Sequence, residues 1–265
     1  MQKLKGIIIA AGRGTRLGKM TKTLPKCLLE INGKPILEYQ VNALRANGIN
    51  EIAIIKGHQA GKIDFPELIT YYNDDYLNNN ILCSLMCAAD AMHDGYIASY
   101  SDIIYAPKVV EKLLKSLHPI SVVVDTDWMG KYTDRTLHPI SEAEKVHIDE
   151  NGFVKQFGKI LPEVSERGKI FEFIGLFKCT PEGAEIFKRA FFDIKQKLGL
   201  DKPFKNAPTF RQAYITDMLN YLIEHGIEVH YVPIQKDWRE IDTQQDLDQA
   251  RKWFKERFIT RNYIY

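Results

Sequence analysis

Apolar and polar positions alternate between two spacings along the first half of the chain. Short, β-branched apolar runs predict strands at 6–10, 51–55, 70–72, 96–100 and 121–124. The segments between these runs carry apolar residues at helical spacing, at 35–48, 80–92 and 107–117. Strands that alternate with helices in this way predict an α/β fold with a doubly wound, mostly parallel, Rossmann-like mixed sheet. Such sheets bind their ligands in a crevice at the carboxyl ends of the strands.

The second half of the chain is less regular. Residues 143–158 predict an antiparallel hairpin that turns at Asn151-Gly152. The same patterns predict strands at 171–177 and 229–234, and helices at 181–197, 208–224 and 244–257. We predict a single domain over residues 1–265, in which a small antiparallel insertion at about 119–170 covers one side of the crevice and the helix at 244–257 closes the fold.

Composition and charge exclude several classes of protein. The 265 residues are 45% hydrophobic and 26% charged, which is typical of a globular protein. A formal net charge of only +2 argues against nucleic acid as a partner, because binding to its phosphates needs a basic surface. No apolar run reaches the roughly 20 residues that cross a bilayer, so no membrane partner is expected. The four cysteines contain no CxxC pair, which favours a cytoplasmic protein with reduced thiols.

A glycine-rich loop directly follows the first strand. We predict that it binds a nucleotide, because its glycines let backbone N–H groups face phosphate oxygens. The nucleotide-binding residues of this loop are Ala10, Ala11, Gly12, Gly14 and Thr15. A Walker loop is excluded because Gly18-Lys19 is followed by Met20. A dinucleotide fingerprint is excluded because the glycine spacing is G-x-G-x-x-x-G.

Two cations of the same segment are the candidate catalytic residues. Arg16 offers a planar fork of donors, and Lys26, after Leu24-Pro25, offers a mobile point charge. Both are suited to a triphosphate whose leaving group gains negative charge. The neighbouring cations Arg13, Lys19 and Lys22 are predicted to be solvated loop charges.

The loop resembles the signature of the sugar-phosphate nucleotidyltransferase superfamily. That signature is G-x-G-[TS]-R, a short spacer and P-K. Gly12, Gly14, Thr15 and Arg16, followed by Pro25-Lys26, match it position by position. The resemblance implies that Arg16 and Lys26 contact the triphosphate and stabilise the transferring phosphoryl group. It also implies Mg²⁺, for which carboxylate oxygens are suitable ligands.

The resemblance implies two aspartates as metal ligands. Asp102 follows the strand at 96–100, as the first metal aspartate of the superfamily does. Asp242 lies just before the closing helix and resembles the second. Local roles remain open for both residues: Asp102 as a turn cap, and Asp242 or Thr243 as the N-cap of the closing helix.

Further segments resemble bacterial phosphocholine cytidylyltransferases and the related 2-aminoethylphosphonate cytidylyltransferases. They are the N-N-x-x-S-L segment at 79–85, residues 127–144 and residues 238–242, so the resemblance spans almost the whole chain. It implies CTP as the donor, with Asn79, Asn80 and Ser84 near the base and ribose. Amide and hydroxyl groups can both donate and accept, as cytosine requires. For Asn78, helix capping is an equally good interpretation.

The resemblance also implies the acceptor, which is phosphocholine, 2-aminoethylphosphonate or a similar small phosphate or phosphonate. We expect it under the predicted insertion. Asp125, Asp127, Trp128 and Tyr132 are candidates for binding a cationic amine, Arg135 for binding the acceptor phosphate, and His138 for the site or for a structural turn. The product is then a CDP- or CMP-linked compound for decorating cell-surface polysaccharide or lipid, and pyrophosphate is released.

Two other functions remain as alternatives. One is a sugar-1-phosphate nucleotidyltransferase that uses UTP, dTTP or GTP. The other is a regulatory nucleotide-binding module without catalysis, which the presence of Arg16, Lys26, Asp102 and Asp242 together argues against. A homodimer, and fusion of this chain to a second enzyme domain, are both compatible with the resemblance.

Overall fold

The computed structural model of the protein describes residues 4–161 and 168–260, with side chains up to residue 254 in the last helix. The strands are β1 (Lys5–Ala10), β2 (Glu30–Ile31), β3 (Lys34–Pro35), β4 (Ile52–Lys56), β5 (Ile69–Tyr72), β6 (Tyr96–Tyr100), β7 (Ile103–Tyr105), β8 (Ile120–Asp125), β9 (Lys145–Ile148), β10 (Val154–Gly158), β11 (Lys169–Cys179), β12 (His230–Ile234) and β13 (Trp238–Glu240). The helices are α1 (Ile36–Arg45), α2 (Ile81–Met86), α3 (Pro107–Leu114), α4 (Pro181–Leu198), α5 (Ile215–Glu224) and α6 (Gln244–Thr260).

Within the described ranges, nine strands form one mixed sheet. Seven of them follow the order β10-β9-β11-β6-β1-β4-β5, and β8 and β12 join the sheet through β11. Strands β6, β1, β4 and β5 are parallel. Strand β11 is antiparallel to β6, β8 and β9. The predicted α/β class with a Rossmann-like mixed sheet is confirmed, and the parallel strands deliver their carboxyl ends to one edge.

Helices cover both faces of the sheet because successive side chains of a strand point to opposite faces. Ile7 and Ile9 of β1 belong to an apolar core with residues of α2, α4 and α5. Ile8, between them, belongs to the core with residues of α1 and α3 on the other face. A continuous apolar strand such as β1 is therefore buried on both sides.

Two predicted helices differ from the observed ones. The helix predicted at 80–92 breaks after α2, because Ala88 leaves the helical region at φ −105° and ψ 28°, and a short 3-10 helix follows at Ala89–Met92. The helix predicted at 208–224 begins only at Ile215. There Tyr214 and Asp217 form a reciprocal capping box that fixes the start of α5.

The segment predicted as an insertion, 119–170, contains β8 and the β9–β10 hairpin, while its residues 162–167 lie outside the described ranges. β8 lies in the main sheet between β11 and β12, and the hairpin extends the same sheet beyond β11. The division into one domain with an insertion stays a prediction. Across the described residues, no helix is long and apolar enough to cross a membrane.

Candidate active site

The glycine-rich loop turns at the carboxyl end of β1. Gly14 has φ +59°, and a Cβ there would lie 3.3 Å from the Cβ of Lys26, so glycine suits both the backbone conformation and the packing. The Gly14 carbonyl accepts a hydrogen bond from Thr21 Oγ1 at 2.7 Å. These contacts hold the loop against the 3-10 helix at Lys26–Leu28, where Lys26 is buried.

Lys26 lies between the two predicted metal aspartates. Its Nζ donates to Asp102 Oδ2 at 2.8 Å and to Asp242 Oδ1. Arg16 Nη1 lies 2.5 Å from the other oxygen of Asp242. Burial lowers the pKa of Lys26, but the two carboxylates outweigh that effect and raise it, so the ammonium stays charged. The four residues predicted from the loop and the carboxylates therefore form one cluster.

A short ladder that the sequence did not predict brings Asp102 and Asp242 together. β13 pairs with β7, and the backbone N–H of Ile241 donates to the Asp102 carbonyl at 2.8 Å.

The structure also shows which residue, Asp242 or Thr243, is the N-cap of α6. Thr243 Oγ1 accepts from the backbone N–H of Asp246 at 3.2 Å, and Asp246 Oδ2 accepts from that of Thr243 at 2.8 Å. Thr243 thus caps α6, which leaves the Asp242 side chain in the cluster.

His138 belongs to the same cluster. Its Nδ1 lies 3.0 Å from Asp242 Oδ2 and 3.2 Å from Arg16 Nη1, and the residue is buried. Burial raises the pKa of Asp242. The hydrogen bond from His138 and the charge of Lys26 act in the opposite direction and hold the pKa of Asp242 well below its usual range. Asp242 is therefore an anion at neutral pH.

An amide and hydroxyl network lies beside the loop, at the predicted base and ribose position. Asn73 Nδ2 donates to Asn79 Oδ1 at 2.7 Å and to Ser84 Oγ at 2.8 Å, and Asn79 Nδ2 donates back to Asn73 at 3.0 Å. Asn80 caps α2 by accepting from the backbone N–H of Ile81. Asn79, Asn80 and Ser84 line one cavity with Ala11, Gly12, Gly14, Thr15, Arg16, Lys26, Asp102 and Asp242. Ala10 ends β1 and is buried beside the loop.

A second cavity adjoins the first across Arg16, Asp102 and Asp242. Two of the predicted acceptor residues, Tyr132 and His138, line it. Trp128 does not line it, because its indole is buried and donates to the Ile170 carbonyl at 3.1 Å.

Asp127 and Arg135 also lie outside the lining of the second cavity. Asp125 is also outside this lining, because it is fully buried, contacts Lys131 and accepts from Trp238 Nε1 at 2.8 Å. Asp127 pairs with Lys236 at 2.6 Å. The buried Arg135 donates to Asp246 at 2.6 Å and to Glu240 at 2.7 Å, so its guanidinium braces β13 against α6.

The second cavity is lined by four carboxylates that the candidate list lacked, those of Glu142, Glu144, Glu172 and Glu240. Burial raises the pKa of Glu144 to about 8 and that of Glu172 to about 7. Burial also raises the pKa of Glu240, and the nearby Asp242 adds to this shift. A signal for Glu172 is present in the sequence, since it interrupts the apolar run Phe171–Phe177 with a charge.

Comparison with known proteins identifies the family. The profile of the MobA-like NTP transferase domain matches residues 6–150, which include the loop and Asp102. The chain belongs to this family. This nucleotidyltransferase is 32% identical over 259 residues to the CTP:phosphoglutamine cytidylyltransferase of Campylobacter jejuni, a match that covers 92% of the chain and 98% of the relative.

Two further comparisons agree with this assignment. The choline-phosphate cytidylyltransferase of Streptococcus pneumoniae is 33% identical over 119 residues, 43% of this chain and 52% of the relative. A solved structure of the CTP:phosphocholine cytidylyltransferase from Streptococcus pneumoniae superposes with a TM-score of 0.69 at 22% identity. That match covers 95% of this chain and 99% of the other, and it supports the fold. The resemblance to nucleotidyltransferases predicted from the loop is confirmed.

The carboxylates of this nucleotidyltransferase fit a divalent cation. Asp102 Oδ1 is buried and accepts no hydrogen bond from any described residue, although it lies beside the reaction cluster. In the described part of the chain, His138, Glu240 and Asp242 also place ligand-type atoms within 4.8 Å of one another. The carboxylate oxygens among these atoms are hard donors, which suit Mg²⁺ better than a soft metal.

Proposed function

We propose that this nucleotidyltransferase is a CTP-dependent cytidylyltransferase, which transfers CMP to a small phosphorylated or phosphonate acceptor and releases pyrophosphate. The observation that carries the proposal is the position of Arg16, Lys26, Asp102 and Asp242 where the two cavities meet. A donor in one cavity and an acceptor in the other would react across this cluster. The Campylobacter jejuni relative, whose name states CTP and phosphoglutamine, supports the choice of nucleotide and acceptor class.

The residues of the cluster have distinct roles in the proposed reaction. The acceptor phosphate or phosphonate is already an anion, so no strong general base is required. Arg16 and Lys26 bind and orient the triphosphate and neutralise the charge that develops on the leaving pyrophosphate. Asp102 and Asp242 would hold Mg²⁺, which supplies Lewis-acid charge neutralisation at the phosphates when bound.

The cavity beside the loop is the proposed site of the cytidine moiety. Asn79 and Ser84 line it, and buried Asn73 orients both through hydrogen bonds of 2.7 and 2.8 Å. Asn73 is therefore a positioning residue that the sequence pattern did not single out. The amide and hydroxyl groups of this network offer the mixed donors and acceptors that a cytosine edge needs.

The proposal includes the cellular compartment of the enzyme and the use of its product. Cys27, Cys83, Cys87 and Cys179 are free thiols, which favours a reducing compartment such as the cytoplasm. We propose that the activated product is used in decorating cell-surface polysaccharide or lipid. The homodimer and the fusion to a second enzyme domain stay predictions.

A pyrophosphate-release screen tests the proposal. It crosses CTP, UTP, GTP and dTTP with phosphocholine, 2-aminoethylphosphonate, phosphorylated amino acids and sugar 1-phosphates, all in the presence of Mg²⁺. We expect turnover with CTP and a small phosphate or phosphonate. Turnover confined to UTP, dTTP or GTP with a sugar 1-phosphate would replace the proposal with the sugar-nucleotide alternative.

A further inference from the structure

The phosphate-binding loop, residues 11–21, contains no strand that would hold it in place. Leu17 anchors its middle in an apolar cluster, but the loop turns at Gly14 and Gly18, both at φ +59°. Glycine adopts many backbone conformations, so these two positions do not by themselves keep the loop in one shape. A loop that must become ordered when its ligand binds loses affinity, because ordering costs entropy. Contacts from outside the loop must therefore stabilise the conformation that receives the triphosphate.

The segment that follows β4 makes contacts at both ends of this loop. β1 and β4 are parallel neighbours, with Ala10 opposite Lys56, so the residues after them leave the sheet side by side. The backbone N–H of His58 donates to the carbonyl of Ala11, the first residue of the loop, at 3.0 Å. Nε2 of the His58 ring lies 2.8 Å from the carbonyl of Thr21, the last residue. Because a carbonyl oxygen can only accept, Nε2 carries the proton, and one residue joins the two ends of the loop.

Thr21 extends this support into the loop. It is only 2% exposed, and its Oγ1 donates to the Gly14 carbonyl at 2.7 Å. Gly14 lines the cavity beside the loop together with Arg16. Hydrogen bonds therefore run from His58 through Thr21 to the wall of the cavity in which the triphosphate is proposed to bind.

The neighbours of His58 are suited to this close contact. A Cβ on Gly57 would lie 2.7 Å from the Ala11 carbonyl oxygen and 2.9 Å from the Ala11 Cβ, so only glycine lets the two segments lie this close. Gln59 has φ +52°, and its Nε2 donates to the Lys22 carbonyl at 3.3 Å, just past the end of the loop. Three consecutive residues after β4 thus contact the loop or its end.

We propose that His58 is a positioning residue that holds the phosphate-binding loop in the conformation that binds the nucleoside triphosphate. The inference rests on the proposed function, in which this loop binds the donor. His58 is not among the described residues that line either cavity, so it acts through Ala11 and Thr21 and not on the substrates themselves. Loss of its ring N–H should therefore weaken the binding of the phosphates and leave acceptor binding unchanged.

Substitutions at His58 test the proposal through Kd for CTP, measured by isothermal titration calorimetry with Mg²⁺ and without acceptor. His58→Phe keeps a ring at 6.1 Å from that of Tyr76 but removes the donor, and the amide of His58→Asn is too short to reach the Thr21 carbonyl. In both variants we expect Kd to rise about fivefold to tenfold, as for the loss of one hydrogen bond. His58→Gln, whose amide nitrogen takes the place of Nε2, should restore Kd to within about twofold of wild type.

A second ligand and a control separate positioning from a general loss of structure. CMP lacks the β- and γ-phosphates, so His58→Phe should weaken CTP binding more than CMP binding, and KM for the acceptor at saturating CTP should not change. His93→Phe is the matched control, because Nδ1 of His93 also contacts a backbone carbonyl, that of Asp90 at 2.8 Å. His93 precedes the amino end of β6, at the edge of the sheet opposite the site, so both affinities should be unchanged.

Three results would overturn the inference. They are a Kd for CTP within about twofold of wild type in the folded Phe and Asn variants, equal weakening of CTP and CMP binding, and failure of His58→Gln to restore the affinity lost in His58→Phe. Thermal unfolding of each variant shows that it is folded at the temperature of the titration.

The design separates failure of the inference from failure of the proposed function. If the wild-type protein transfers CMP and His58→Phe keeps full affinity for CTP, the cytidylyltransferase function stands and the role of His58 is wrong. If the wild-type protein uses another nucleoside triphosphate and not CTP, the proposed function is wrong. The His58 variants are then compared with that triphosphate, because the loop is proposed to bind phosphates and not the base.

Discussion

Asp102→Asn is the substitution that tests the proposed reaction most directly. The side chain is 23% exposed, one oxygen accepts from Lys26 at 2.8 Å, and the other is buried without a partner. Asparagine keeps the size of the side chain and a carbonyl oxygen for Lys26, but it removes the negative charge. The variant therefore tests the charge and leaves the shape of the site nearly unchanged.

The expected effect on turnover is much larger than the effect on stability. Losing a charged metal ligand removes about 4 kcal/mol of transition-state stabilisation, which is a decrease in kcat of about 10³-fold. Losing one partly exposed ion pair costs about 1 kcal/mol of folding free energy, because Lys26 retains Asp242. In a chain of this size, that lowers Tm by about 2 °C.

Three measurements and one control decide the result. Pyrophosphate release gives kcat, thermal unfolding gives Tm, and Mn²⁺ binding by electron paramagnetic resonance reports the metal site without catalysis. Asp193→Asn makes the same chemical change at an exposed position of α4 and should leave all three unchanged. Turnover of Asp102→Asn within about threefold of wild type, with unchanged Mn²⁺ affinity, would remove Asp102 from the metal site.

Three further substitutions separate structural from functional roles. Arg135→Met should lower the unfolding free energy by about 3 kcal/mol, because the buried carboxylate of Asp246 on α6 loses its cation. Thermal unfolding should show this as a lower Tm. An unchanged Tm with a raised acceptor KM would instead assign Arg135 to acceptor binding. The folded-state pKa of Glu144, about 8, lies above its ordinary 4.5, so stability falls as pH rises through that window. Glu144→Gln should therefore raise Tm relative to wild type more at pH 9 than at pH 5, and an equal difference at both values would contradict this. Gly175→Ala should lower Tm and raise the acceptor KM, because φ of Gly175 is +80° and the new Cβ would lie 2.6 Å from the Tyr100 ring. Gly152→Ala is the control for backbone strain alone, because Gly152 has φ +85° and no atom within 4 Å of the position of the new Cβ.

The nucleotide side of the site could be predicted from the sequence because its signals are local. Glycines after a buried apolar strand fix a turn. The two candidate catalytic cations, Arg16 and Lys26, follow within the same short segment of the chain. The strand pattern placed Asp102 at the same edge of the sheet, because parallel strands deliver their carboxyl ends to a common edge. Its role as a metal ligand came from the resemblance to the superfamily.

The arrangement that brings Asp242 to Asp102 could not be read from those local patterns. It depends on β13 pairing with β7 across more than a hundred residues, and both strands are only three residues long. Such short strands have too few positions to show an alternating pattern. The resemblance to a known family supplied Asp242, and the ladder supplies the physical reason for its position.

The acceptor side was harder to predict for a related physical reason. Aromatic and charged residues near 127–138 looked equally suited to binding and to packing, and burial decides between the two roles. Trp128 and Arg135 are buried, with their polar groups bonded to the Ile170 carbonyl and to carboxylates. The single indole N–H of Trp128 is used in this way, and the charge of Arg135 is paired with two carboxylates, which favours structural roles for both residues.

The same criterion explains why Glu172 is the informative residue of the cavity. β11 shifts register against β8 between Phe173 and Phe177, with Gly175 at φ +80° in the irregular stretch. Glu172 lies at the edge of this irregularity and lines the acceptor cavity, although its neighbours are apolar. Burying a carboxylate raises its pKa and costs folding free energy. A carboxylate that lines the cavity with one oxygen unbonded is a candidate for contacting the acceptor. Glu172→Gln, with acceptor KM measured beside Tm, tests this: a changed Tm with an unchanged KM would leave Glu172 a purely structural role.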